Sequence, residues 1–204
     1  MRGALHDLSA RELIAGYHAK RLSPVEVTQS VLDHIGRWEP RLQATWLLRP
    51  EAALEQARAA EARWTRGEPL GPLDGVPTTI KENIATRGDP MPAGTAATDL
   101  RPAAVDAPPA ARLKEAGAVI LAKTTMPDYG MLSSGLSSFH VLARNPWDLS
   151  RTPGGSSAGA GAAAAAGYGP LHIGTDIGGS LRLPAAWCGI FTLKPSLGRI
   201  PIDP

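Results

Sequence analysis

Residues 151–184 read RTPGGSSAGAGAAAAAGYGPLHIGTDIGGSLRLP, a stretch in which few side chains can do chemistry. An alanine run has the highest helix propensity, so its AGAGAAAAAG core reads as a helix with a thin, close-packing surface rather than as a linker. A phosphate-binding loop is excluded, because the Gly-Lys-Ser/Thr ending is missing and no lysine lies between Arg151 and Leu193. A membrane helix of small residues is excluded too, because Tyr168, Pro170, His172 and Asp176 interrupt the apolar span. What remains is a segment kept small so that backbone can approach backbone or substrate.

Working outward, the chain from Gly71 to this stretch alternates strands and helices. GVPTTIKEN and AVILAKTT are short apolar runs bounded by Gly and Pro, PPAARLKEAG between them reads as a helix, and Val119, Ile120 and Leu121 mark a buried strand. The Pro- and Gly-rich segment from Thr86 to Pro109 reads as a surface loop. The pattern predicts an α/β sheet with helices on its faces. Further upstream the chain is helical. Ser9 with Glu12 makes a capping box, Ser23, Pro24 and Glu26 repeat the signal, and that second helix is expected to stop near Gly36. A third helix, PEAALEQARAAEARWTRG, ends at Gly67, so three helices are expected before any strand. The domain thus divides into a helical segment, 1–67, and an α/β segment, 68–204.

Composition narrows the function classes. A net charge of +2 without any block of like charges gives no footprint for nucleic acid. Cys188 is the lone cysteine, which forbids an internal disulfide and favours a reducing compartment; the histidines, His6, His18, His34, His140 and His172, are too dispersed for a metal site. The start carries charges at Arg2, Asp7, Arg11 and Glu12 and lacks a secretory core, and no run of about 18 apolar residues occurs. These features predict a cytoplasmic protein with no membrane contact, metal or cofactor.

The segment from Gly154 to Ile200, GGSSAGAGAAAAAGYGPLHIGTDIGGSLRLPAAWCGIFTLKPSLGRI, resembles the Gly/Ser signature of the amidase signature family of serine hydrolases. GVPTTIKEN is similar to that family's Gly-Val-Pro…Lys-Asp-Asn segment, and AKTTMPDYGMLSS and NPWDLSRTPGG match in kind and order. The resemblance implies a mixed β-sheet core flanked by helices and hydrolysis of an amide carbon–nitrogen bond in a small-molecule substrate. It implies Ser180 as nucleophile, Ser156, after a cis peptide bond from Gly155, as bridging serine, and Lys81 as general base. Backbone N–H groups of Ile177, Gly178, Gly179 and Ser180 would form the oxyanion hole. Ser157, Thr175, Asp176 and Arg182 are supporting candidates, with Ser157 either a hydrogen-bonding partner or a helix N-cap. Cys188 reads as a small buried hydrophobe.

The chemistry explains these residue types. A serine hydroxyl must lose its proton as it attacks an amide. A lysine takes that proton only when neutral, which burial favours. Two departures from the family pattern stand out: Ala158 where glycine is common, and Glu82 where aspartate is frequent. The chain also ends soon after the signature, so it is expected to be the N-terminal part of an amidase, with the rest of the sheet missing. Two other readings stay open. One is the catalytic A subunit of a glutamyl- or aspartyl-tRNA amidotransferase, which works in a complex and would bring in tRNA; TTMPDY and the absence of a basic cluster lean against it. The other is a truncated, non-catalytic remnant. A homodimer is compatible with any of these.

Overall fold

The computed structural model describes residues 4–201, so residues 1–3 and 202–204, which close the two predicted segments, lie outside it. Helix α1 (Ala10–His18) starts as expected: the Ser9 hydroxyl accepts from the Glu12 N–H while the Glu12 carboxylate accepts from the Ser9 N–H. At α2 (Pro24–Leu42) the Ser23 hydroxyl accepts from Val25 and Glu26, but Glu26 does not reciprocate; Ser23 instead donates across to Glu61 of the third helix.

Helix α2 also runs past the expected stop at Gly36. Its apolar face continues through Val31, Leu32, Ile35 and Leu42, all buried, and that packing outweighs the roughly 1 kcal/mol an interior glycine costs. The helix ends instead at Gln43, whose φ of 51° is left-handed. Between it and α3 (Pro50–Arg66) lies a strand, β1 (Thr45–Leu48), which corrects the expectation of three helices before any strand. Four residues squeezed between two helices carry too short a pattern to read; β1 exists because β3 supplies an antiparallel partner. Gly67, with φ 76°, closes α3 as predicted.

The remaining elements are β2 (Pro77–Lys81), α4 (Pro108–Glu115), β3 (Val119–Thr124), α5 (Ala158–Ala165), β4 (Leu171–Ile173) and α6 (Arg182–Cys188). Strands β2 and β3, helix α4 and the alanine-rich α5 match the sequence expectations; β4 and α6 are additions to them. The sheet order is β1-β3-β2-β4, with β2 parallel to both its neighbours and β1 antiparallel to β3, so it is mixed as the resemblance implied. One core cluster draws Val31 and Ile35 of α2, Ala53 and Ala57 of α3, Val119 and Leu121 of β3 and Ala162 of α5 into a shared interior. Fully burying each of the larger aliphatic side chains there contributes about 2 kcal/mol.

Two features position the ends of the strands. Asp74, fully buried just before β2, accepts from the Arg63 guanidinium of α3 and from the Leu70 N–H. Across β2 and β4 the register partners Thr79 and His172 are joined, Thr79 Oγ1 lying 2.9 Å from His172 Nδ1, while His172 Nε2 donates to the Gly169 carbonyl at 3.0 Å. Burial pushes His172 down to about 4, so the ring is neutral and Nδ1 accepts from the threonine.

The small residues of α5 are dictated by contact. A Cβ on Gly159 would lie 2.1 Å from the Ala44 carbonyl oxygen and 2.5 Å from the Thr125 N, both backbone atoms, and the Gly159 N–H donates to the Thr125 carbonyl at 3.0 Å. Gly159→Ala is therefore expected to destabilise the fold by about 2 kcal/mol. A urea titration would show it as a lower midpoint at unchanged slope; an unchanged midpoint would mean that α5 is free to shift.

Candidate active site

Strand β2 is central and every residue in it is buried, so Lys81, its last residue, reaches the carboxyl end of the sheet without meeting water. In parallel sheets the crevice at that end is the usual place for a ligand. Because β4 runs parallel to β2, the loop leaving β4, which carries Thr175 to Ser180, emerges at the same end. The N-terminus of α5 brings Ser156 and Ser157 there, and the Gly155–Ser156 peptide bond is cis, as the resemblance implied.

Three of the expected residues meet directly. Lys81 Nζ lies 2.8 Å from Ser156 Oγ and 2.8 Å from Thr175 Oγ1. Lys81 is 0% and Ser156 3% exposed. Burial pushes the Lys81 amine down from 10.5 to about 7, against the upward pull of the Glu82 and Asp176 charges. At neutral pH a substantial fraction is thus the free base, with a lone pair for the Ser156 proton.

Ser157 occupies the N-cap position of α5 but caps nothing with its side chain. Its hydroxyl donates to the Thr175 carbonyl at 3.1 Å and accepts from the Thr175 N–H at 3.2 Å, so it is a hydrogen-bonding partner that fixes Thr175 opposite Lys81. Its own N–H donates to the Ser180 carbonyl at 3.1 Å, which sets Ser180 beside the serine pair. Ser180 is half-buried, unlike Ser156.

Asp176 organises the loop. Its Oδ1 accepts from Gly179 N–H at 2.8 Å and from Arg182 Nη2 at 3.0 Å, and its Oδ2 accepts from Leu181 N–H and Arg182 Nε, both at 3.0 Å. The Arg182 guanidinium, aided by these amides, holds the Asp176 carboxyl well below the usual carboxylate range. Gly179, with φ 125°, takes a backbone conformation that side chains resist. Its N–H is committed to Asp176, so of the four expected oxyanion donors it is the one that braces the loop. The N–H groups of Ile177, Gly178 and Ser180 have no protein acceptor among the described residues, and Ile177 and Gly178 are exposed. Cys188 is buried as expected, its thiol pushed up to about 11 by burial and donating to the Pro153 carbonyl.

Sequence reasoning missed one group at this site. Glu82 stands out in the sequence only as a departure from the family pattern and His140 only as one of several scattered histidines, yet the two are paired and buried, with His140 Nε2 3.0 Å from Glu82 Oε2. Nothing in the spacing of residues 58 apart could have joined them.

A profile of the amidase family matches residues 26–204. Among curated relatives the chain is 45% identical, over 197 residues, to the A subunit of glutamyl-tRNA(Gln) amidotransferase from Chloroflexus aggregans, and 44% identical, over 196 residues, to the protein of that name from Moorella thermoacetica; in each case 96% of this chain and 40% of the relative are covered. Among solved structures, a bacterial aryl acylamidase belonging to the amidase signature enzymes superposes with a TM-score of 0.92 at 38% identity, over 98% of this chain and 42% of that one. A fatty acid amide hydrolase superposes with a TM-score of 0.86 at 30% identity, over 90% of this chain and 32% of that one. The chain therefore spans about 40% of the length of the curated relatives it matches.

Proposed function

Because the chain belongs to the amidase signature family, we propose that it carries the nucleophile, bridging serine and base of an enzyme that hydrolyses the carbon–nitrogen bond of a small-molecule amide. The observation that carries this reading is a buried lysine, lowered to about 7, within 2.8 Å of the Ser156 hydroxyl. Ser180 Oγ attacks the carbonyl carbon and passes its proton to Ser156 Oγ, which passes its own to Lys81 Nζ. The negative charge that develops on the carbonyl oxygen is met by N–H groups of Ile177, Gly178 and Ser180. A donor of this kind is typically worth about 3 kcal/mol of barrier. Lys81 then returns the proton through Ser156 to the leaving nitrogen, the amine departs, and water hydrolyses the Ser180 ester by the same relay. Among the described residues no helix is long and apolar enough to cross a membrane. With its single buried thiol, the protein is proposed to act in the cytoplasm.

The test is made on the polypeptide as the cell produces it, offered aliphatic and aryl carboxamides. Release of the amine together with the carboxylic acid, and capture of the acyl group by hydroxylamine, is the expected result. If the wild type shows no turnover and is not labelled by a fluorophosphonate, the reading is overturned in favour of a non-catalytic remnant.

A second reading is favoured by the 45% and 44% identities to the amidotransferase proteins, above the 38% to the aryl acylamidase. In it the same relay would release ammonia from an amide donor, and a complex with other subunits would pass that ammonia to a charged tRNA. Glutamine-dependent amidation of glutamyl-tRNA by the co-purified complex would select this reading, and hydrolysis of simple amides by the protein alone would select the first.

A further inference from the structure

Glu82 directly follows the lysine at the end of β2, where successive side chains leave the backbone in opposite directions, so its charge bears on the amine without an ion pair between them. Here both of its oxygens are engaged elsewhere. Oε1 accepts from the Ala93 N–H at 2.7 Å, and Oε2 accepts from the Gly94 N–H at 2.8 Å and from His140 Nε2 at 3.0 Å. Ala93 and Gly94 have φ of 53° and 69°, and in this turn each of their successive N–H groups holds one oxygen of the carboxylate. The Glu82 side chain is 0% and the His140 side chain 1% exposed, and the imidazole is edged by Trp46 and Phe139 at 5.5 and 5.0 Å between ring centroids.

This seat is tied to the relay on its far side. The Ala93 carbonyl accepts from the Tyr129 N–H at 2.7 Å, and Gly94 packs so closely that a Cβ there would lie 2.3 Å from the Pro127 carbonyl oxygen. The same 127–130 turn reaches Ser156: a Cβ on Gly130 would lie 3.3 Å from Ser156 Oγ. Ser137 closes the circuit, donating to the Gly94 carbonyl and accepting from the N–H groups of Phe139 and His140.

We infer that Glu82 is a positioning residue for the proposed relay, its carboxylate held off Lys81 by the Ala93–Gly94 turn and His140, which also braces the 127–130 turn against Ser156. The inference rests on the reading of Lys81 as the base. The charged groups that bear on Lys81 are Glu82 and Asp176 of the loop after β4; Glu82 in turn bears on Lys123 of β3, which donates to Thr86 and to the Ile84 carbonyl.

The test reads Lys81 directly, by NMR titration of lysine labelled with carbon-13 at Cε, in the polypeptide as the cell produces it. Glu82→Gln removes a negative charge, so the Lys81 midpoint is expected to fall by about one pH unit. His140→Leu removes a donor and lets the carboxylate turn toward the amine, so the midpoint is expected to rise. His140→Gln, whose amide can still donate to Glu82, should lie between His140→Leu and the wild type in midpoint and in turnover. A midpoint unmoved in Glu82→Gln, or His140→Leu and His140→Gln that titrate alike, would overturn the inference; should Glu82→Gln not fold, the histidine pair decides alone. The titration needs no substrate, so a wild type that turns over no amide while these shifts appear would sink the proposed activity and not the placement of Glu82.

Discussion

Lys81→Met is expected to lose about 10²- to 10⁴-fold in amide turnover, the range a positioned acid–base group supplies, while making the folded chain more stable at neutral pH. Lys81 is 0% exposed and sits at about 7 where an exposed lysine sits at 10.5. The folded state therefore binds fewer protons than the unfolded state between those two values, and stability rises with pH across that window. At and below about pH 7 the cost of holding this amine is present in full; above about 10.5 it is gone. Methionine has a similar unbranched reach and no charge to desolvate. It forfeits the bonds to Ser156 and Thr175, worth about 1 kcal/mol each, against a desolvation cost of several kcal/mol. The net gain at pH 7 should be on the order of 2 kcal/mol. Denaturant titrations of both proteins across pH would show the advantage of Lys81→Met shrinking as pH rises from 7 toward 10. A constant difference would mean that Lys81 is protonated in the folded protein, and the assignment of the base would fail with it. In the wild type the same ionisation is expected to make turnover rise with pH through an apparent pKa of about 7.

The elements legible in the sequence are those whose signal is local. The Ser9–Glu12 capping box, Gly67 after α3, the apolar run of β3 and the alanine propensity of α5 each lie within a few residues, and each forms where expected. What was not legible depends on partners distant in the chain. Strand β1 needs β3, 70 or more residues later, and α2 passes Gly36 because Ile35 and Leu42 find a core to enter. The site divides in the same way. Lys81, Ser156 and Ser180 are named through motif resemblance, since no spacing rule assembles them, and the structure adds what motifs do not encode. Thr175 is held by Ser157 and takes the second bond of Lys81, Gly179 serves Asp176, and His140 reaches Glu82 from a separate loop. All but the Gly179–Asp176 bond, which spans three residues, join a side chain to backbone or a side chain distant in the chain, and composition is blind to all of them.

Ser180→Ala is expected to abolish fluorophosphonate labelling and to lower amide turnover by about 10⁴-fold or more, as loss of a serine nucleophile does elsewhere. The choice between the two serines rests on access. Ser156 Oγ is turned inward onto Lys81 with Gly130 of the 127–130 turn close against it, and the residue is only 3% exposed. Ser180 is half-buried and lies on the loop whose Ile177, Gly178 and Ser180 N–H groups have no protein acceptor among the described residues, so in the proposed mechanism attack there would deliver the oxyanion to these donors. The Ser157 N–H to Ser180 carbonyl bond keeps that loop beside the relay without using the Ser180 hydroxyl, so alanine at 180 leaves every described contact of the loop in place. Ser156→Ala should instead slow labelling while leaving Ser180 the labelled residue, because it breaks proton transfer and spares the nucleophile. Mass spectrometry of the labelled peptide separates the two: a label on Ser156 in the wild type, or equal labelling of wild type and Ser180→Ala, would reverse the assignment.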